Sequence, residues 1–454
     1  MGVIGVPLAA DTGFTFAGTF PIGLLFVGIA VFAAVGAMSH EHERAFSASL
    51  IYLGLGAVAA LAIRVFDIPW LDPFGDAKVI EHIAEVALIF ALFSSGLKLD
   101  RPLRWREWGS VTRMLALAMP LTMVGIALFG TQVMGLSLGA ALLLGATLSP
   151  TDPVLAGDIG VGPPGDEAEH EPNFALTAEA GGNDGLAAPL VLIGIFVAGK
   201  GGTGWLGEWL VADLLYACAA GVAIGAAVGW SAAWSVRRLR DRELLAPAFD
   251  GYHAVATALV VYGAAEAAGG YGFLAVFAGG LAFRRYEHDH ELNGRVHAGA
   301  EQVEKFMELA AILLLGSLLT GEGLTAPGWE GWLLAIVLLV VIRPLSTFVS
   351  LFRSQVETAG GRTFVAWFGV RGVGTIYYAA TIVGAGVLSG GEEQLVVWTA
   401  IACVIVSIVV HGVTGGPALR LLFRNLREEE ERAAAGEPEL RPRSAPEPAT
   451  PHAR

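Results

Sequence analysis

Charge is scarce in this sequence: only 15% of its 454 residues are Asp, Glu, Lys or Arg, against about 25% in soluble domains. So few charges argue against an ordinary water-solvated domain. Basic residues are scarcer still, 28 against 42 acidic, giving a net charge of −14. Nucleic acid, a polyanion held chiefly by Lys and Arg, is therefore not the expected partner. Cysteine is nearly absent. Cys218 and Cys403 both fall in apolar runs, so neither a disulfide framework nor a zinc site is implied. The N-terminus lacks the basic stretch and short apolar core of a cleaved signal, so the first apolar run is expected to persist as a span.

What the chain has in abundance is apolar surface. Hydrophobic residues make up 54% of it, and mean hydropathy is +0.62. A bilayer-crossing helix needs about 20 mostly apolar residues, and such runs recur here. The 60 glycines fit as well, because small residues let membrane helices approach closely. The sequence predicts an all-α polytopic membrane protein with about thirteen spans. They lie near 20–38, 46–65, 79–97, 114–131, 137–157, 174–198, 208–236, 252–268, 271–283, 307–320, 332–351, 362–385 and 395–414.

Basic residues set the orientation. With the C-terminus inside, the cytoplasmic segments hold Lys98, Arg101, Arg104, Arg106 and Arg113, then Arg237 to Arg242, and then Arg284 to Lys305. The outer ends hold only Arg64, Lys78 and Lys200. That bias predicts the N-terminus outside and the C-terminus inside a cell membrane. The acidic loop Gly165–Glu171 runs against it, but acidic residues weigh little in this rule. Residues 1–425 form the expected membrane domain, and the Glu-, Pro- and Ala-rich stretch 426–454 reads as a disordered cytoplasmic tail.

Charges inside the membrane are expensive and point to function. Five stand well within predicted spans: Asp152, Glu179, Asp184, Arg343 and Arg371. The first lies in Leu148-Ser149-Pro150-Thr151-Asp152-Pro153. Two prolines there each remove a donor and clash with the carbonyl four residues back, so the helix breaks at mid-membrane. The freed carbonyls, the Thr151 hydroxyl and the Asp152 carboxylate are hard oxygen ligands suited to a small cation. A plain kink, with Asp152 capping the following half-helix, is the alternative. The second cluster is Glu179-Ala180-Gly181-Gly182-Asn183-Asp184. At about 100° per residue Glu179 and Asn183 share a face, while Asp184 points about 140° from Glu179, so the two acids should have different partners. The third joins Arg343-Pro344 with Gly369-Val370-Arg371-Gly372-Val373-Gly374. Each arginine needs a counter-charge or an array of carbonyls, and the glycines mark a second break.

Other motifs fail on context. Gly135-Leu136-Ser137-Leu138-Gly139 matches a hydrolase elbow without its strand and turn. Gly160-Val161-Gly162-Pro163-Pro164-Gly165 matches a dinucleotide fingerprint but with prolines in the turn. His40-Glu41-His42-Glu43 and His288-Asp289-His290-Glu291 lack zinc-protease spacing. They read as solvated loops, with pH sensing as the alternative.

These clusters, in order along the chain, resemble the NhaP/NHE-type monovalent cation/proton antiporters. The landmarks are Ser95-Gly96-Leu97-Lys98-Leu99-Asp100, Thr151-Asp152-Pro153, Glu179 through Gly185, Gly272-Phe273-Leu274-Ala275-Val276-Phe277, Arg343-Pro344-Leu345-Ser346, Val370-Arg371-Gly372 and His411-Gly412. The resemblance implies two inverted six-helix repeats, with unwound fifth and twelfth spans crossing near the midplane. It implies a transporting core (about 114–198 and 332–414) moving against a scaffold (about 20–97 and 208–320) that forms a homodimer. Carried over by motif, Asp184 binds cation and proton, with Asp152, Thr151 and Asn183 beside it. Glu179 pairs with Arg343, and Arg371 and Ser94 support the core. Monovalent cations and protons are the cargo, and no cofactor is implied. Two departures stand out. Ser94 sits where many relatives have Glu, and Ala180 replaces a common Ser, which removes potential ligands.

Three buried acids and two arginines sum to −1, a charge that one cation or one proton would neutralise. Exchange is thus expected to be one-for-one and electroneutral, with competition at Asp184, serving pH homeostasis. A cation channel or an intramembrane aspartyl enzyme are the rival readings. A channel has no need of a titratable carboxylate, and an enzyme would need Asp152 and Asp184 as a catalytic pair.

Overall fold

A computed structural model describes residues 19–38, 47–68, 70–153, 161, 170–246, 249–286, 292–356 and 358–434. The end of the fifth span after Pro153, most of the acidic loop and both His-rich loops lie outside these residues. Among the described residues the chain is all helix, without strands. In chain order the helices are α1 (Thr19–Met38), α2 (Ala48–Val65), α3 (Ala77–Lys98), α4 (Gly109–Gln132) and α5 (Leu138–Leu148). There follow α6 (Glu171–Gly199), α7 (Leu206–Arg240), α8 (Asp250–Ala267), α9 (Gly272–Tyr286) and α10 (Leu292–Ser317). The last are α11 (Gly328–Ser350), α12 (Ala359–Trp367), α13 (Val373–Ala385) and α14 (Gly390–Ala434).

Each predicted span overlaps one of these helices, and the twelfth is split between α12 and α13. Among the described residues, seven helices are both long and apolar enough to cross a bilayer, and α5 and α13 are shorter apolar helices. One bound differs from the hydropathy expectation of 307–320 for the tenth span: α10 begins at Leu292.

Proline shapes the fourth and eleventh spans alike. Pro120 lacks an amide proton and crowds the carbonyl of Ala116, and Pro344 does the same to Val340. In both helices the turn ahead of the proline opens to π geometry, over Met114–Ala118 and Leu338–Ile342. The same device at corresponding places, like the paired breaks in the fifth and twelfth spans, marks the inverted repeat.

Packing divides the interior. One apolar cluster draws on α4, α5, α6, α11, α13 and α14, through residues such as Met123, Leu144, Val191, Leu338, Ile382 and Cys403. A larger one is built mainly from α2, α3, α7, α8, α9 and α10, and Tyr377 of α13 packs against both. Glycine makes the closest contact possible. A Cβ on Gly225 or Gly229 of α7 would lie 2.1 or 2.2 Å from the carbonyl oxygens of Ala275 and Gly279 on α9, so only hydrogen fits there.

Candidate ion site

The site forms where two helices come apart. α5 ends at Leu148 and the residues from Ser149 to Asp152 run without helix, buried. α12 ends at Trp367, and Phe368 to Gly372 are likewise unwound and buried. Each break frees backbone groups that must find partners in a membrane interior. They find them in each other. The Asp152 amide donates to the Val370 carbonyl at 2.9 Å, and the Asp152 carboxylate accepts from the Val373 amide, the first of α13. A carboxylate suits the positive end of a half-helix dipole. Asp152 is therefore a helix cap, as the sequence allowed, but the half-helix it is seen to cap belongs to the opposite repeat.

Arg371 answers the other ends. Its Nε donates to the Leu148 carbonyl at 2.5 Å, its Nη1 to the Gly369 carbonyl, and its own amide to Ser407 Oγ at 2.8 Å. So this fully buried guanidinium meets carbonyls released at the C-terminal ends of α5 and α12. The other arginine is paired. Arg343 donates to both oxygens of Glu179, at 2.7 and 2.6 Å, with both side chains at most 1% exposed. It packs against Gly369, where a Cβ would come within 2.5 Å of its side chain.

Asn183 and Asp184 leave α6 in different directions. Asn183 Nδ2 donates to Thr151 Oγ1 at 2.7 Å, joining α6 to the unwound part of the fifth span. Asp184 faces α13: a Cβ on Gly374 would lie 2.5 Å from its Oδ1 and 3.3 Å from its Oδ2. The charges close enough to act on it are Asp152 and Arg371. Asp184 is 1% exposed, and among the described residues neither carboxylate oxygen has a hydrogen-bond partner. The Asn183 Oδ1 and Thr147 Oγ1 atoms are buried and unpartnered too. Ser94 is elsewhere, buried on α3 against Glu304 of α10, which also meets Lys98 at 3.6 Å.

The sequence gives no role to several supporting residues. The Tyr378 hydroxyl donates to the Asp184 carbonyl at 2.5 Å. His411 Nε2 lies 2.9 Å from the Trp367 carbonyl at the end of α12, and its Nδ1 3.1 Å from Ser407 Oγ. The i, i+4 spacing of Ser407 and His411 inside an apolar run was the available signal.

The family model described as "Sodium/hydrogen exchanger, transmembrane" matches residues 22–421. The chain belongs to the sodium/hydrogen exchanger family. Relatives of the chain include Na(+)/H(+) antiporter 2 of Zygosaccharomyces rouxii, 27% identical over 73% of the chain and 43% of the relative. The Na(+)/H(+) antiporter ApNhaP of Aphanothece halophytica is 26% identical over 86% of the chain and 71% of its own length. The K(+)/H(+) antiporter NhaP2 of Shewanella baltica is 25% identical over 82% and 62%. The chain thus spans less than half the length of the yeast relative it matches. In fold it is similar to the sodium proton antiporter MjNhaP1 of Methanocaldococcus jannaschii, with a TM-score of 0.68 and 17% identity over 89% of this chain and 98% of that one.

Proposed function

We propose that this exchanger carries a monovalent cation, sodium foremost, against protons, and that the two compete for Asp184. The observation behind the reading is the Asp184 carboxylate, buried to 1% exposure with both oxygens free of hydrogen bonds among the described residues. Bare charge at such a place is costly, and either a proton or a small cation removes the cost. On this reading Thr151, Asn183 and Asp152 would supply further hard oxygen, while Glu179 and Arg343 cancel each other. Asp152, Glu179, Asp184, Arg343 and Arg371 together sum to −1, so one cation or one proton returns the core to neutrality. A protein of this kind would serve pH homeostasis as a homodimer in the plasma membrane, with its C-terminus cytoplasmic. The helices of about 114–198 and 332–414 would move against the remaining scaffold. Against an aspartyl enzyme, Asp152 spends its carboxylate on the α13 amide rather than on Asp184.

The test is cation-dependent collapse of a pH gradient in proteoliposomes, run separately with Na⁺, K⁺ and Li⁺. Wild type should dissipate the gradient on addition of at least one of them, and Asp184→Ala, at matched protein level and melting temperature, should not. Near-normal exchange in Asp184→Ala would sink the assignment.

A further inference from the structure

A second polar site lies at the far end of the bundle from the crossing segments' core. A cavity of about 480 Å³ opens there between the start of α4 and the turn after α11, lined by Arg106, Arg113, Arg353, Thr112, Ser354 and Trp105 among others. Among the described residues no carboxylate lines it. Among the described residues none of the three arginines has an ion pair. Arg113 instead donates to the Phe352 carbonyl at 2.6 Å, and Arg353 stacks on the neighbouring Phe352 ring. Three guanidiniums in one concavity repel one another unless an anion joins them.

The walls are fixed rather than loose. The Gln355 side-chain amide donates to the Arg106 carbonyl and accepts from the Ser110 amide at 3.4 Å. Arg353 is held at φ 58°, in the left-handed region that a non-glycine residue rarely occupies. That conformation ends α11 sharply and sets the guanidinium in the cavity wall. Trp105 in the cavity wall is 79% exposed, and on the last turns of α11 and just past its end Leu345, Val349 and Phe352 are 62%, 54% and 63% exposed. Basic groups at the foot of a lipid-facing apolar stripe stand at headgroup depth.

We propose that this cavity binds a phosphate group, presented by the headgroup of an anionic phospholipid. Forked guanidiniums match phosphate oxygens, and the Thr112 and Ser354 hydroxyls add neutral donors. The two walls belong to corresponding helices of the two repeats, so a bound phosphate ties one repeat to the other at their basic ends.

The experiment uses delipidated full-length protein in detergent, titrated with short-chain phosphatidylglycerol, with phosphatidylcholine, and with inorganic phosphate. Binding is read by native mass spectrometry and by thermal shift. The variant is Arg106→Gln with Arg353→Gln, both exposed and unlinked to the ion site. Arg238→Gln with Arg242→Gln removes equal charge elsewhere. At about a factor of five per surface guanidinium, the first pair should weaken phosphatidylglycerol binding roughly thirty-fold, and the control pair should leave it unchanged. Inorganic phosphate that competes the lipid away, and itself needs Arg106 and Arg353, upholds the phosphate site and names the free anion as its source. Equal binding of phosphatidylcholine overturns the proposal. So does equal loss in the control pair, or undiminished phosphatidylglycerol binding in the test pair.

Discussion

Arg343 grips Glu179 with two parallel hydrogen bonds of 2.7 and 2.6 Å, across 164 residues of chain and out of reach of water. Removing one partner of such a pair typically costs about 3–5 kcal/mol, because the other charge is stranded. Glu179→Gln should therefore lower the melting temperature sharply, and adding Arg343→Gln should restore part of the loss. Strictly additive losses in the double-mutant cycle would mean that the two side chains do not depend on each other.

Asp152 has two duties that substitution can separate. As a cap on α13 its loss should cost about 0.5–2 kcal/mol of stability. Asp152→Asn keeps an oxygen for the Val373 amide but loses the charge near Asp184. It should stay close to wild type in thermal melts while its apparent cation affinity falls. An unchanged half-saturating cation concentration in Asp152→Asn would confine this residue to capping.

Gly374 leaves room for the Asp184 carboxylate. A methyl group there would stand 2.5 Å from Oδ1, and overpacking of this kind costs about 1–3 kcal/mol. Gly374→Ala should raise the half-saturating cation concentration roughly five- to hundredfold while the protein remains folded and membrane-inserted. Wild-type kinetics in Gly374→Ala would show that Asp184 works from another position.

The −1 sum predicts electroneutral exchange. Asn183 matters here, because a second carboxylate beside Asp184 would make the core −2 and invite a second proton. Proteoliposomes clamped with K⁺ and valinomycin should show equal initial rates of Na⁺/H⁺ exchange at zero and at large negative potential, provided K⁺ is not itself carried. A pH gradient driven by voltage alone would overturn the one-for-one count.

The helices were legible where apolar runs outlast the bilayer, and less so where charge is buried. α10 starts at Leu292, well before its hydropathy rises, because its first half is rich in polar residues, among them the buried Glu304 that meets Lys98 on α3. A hydropathy window reads such residues as solvated loop. At the site, the five charges and both breaks could be read from proline, glycine and in-span charge. The choice for Arg371 between a counter-ion and carbonyls could not. It depends on the Leu148 carbonyl arriving from 223 residues away, and local sequence holds no record of that approach. The same holds for Tyr378, whose partner is the Asp184 backbone carbonyl and leaves no mark in side-chain pattern.

The hydrogen bonds at the crossing have a consequence for thermodynamics. They fasten α5, α6, α11, α12, α13 and α14 to one another through Asp152, Arg371, Ser407, Tyr378 and the Glu179–Arg343 pair. If these helices move as one block, as proposed above, such a carrier offers an ion the same coordination whichever face of the membrane it meets. It then has one intrinsic affinity and no ratchet. It runs forward or backward by mass action, and the steeper of the two gradients chooses the direction. Any difference between the faces must be supplied from outside the block, by loops, lipid or tail.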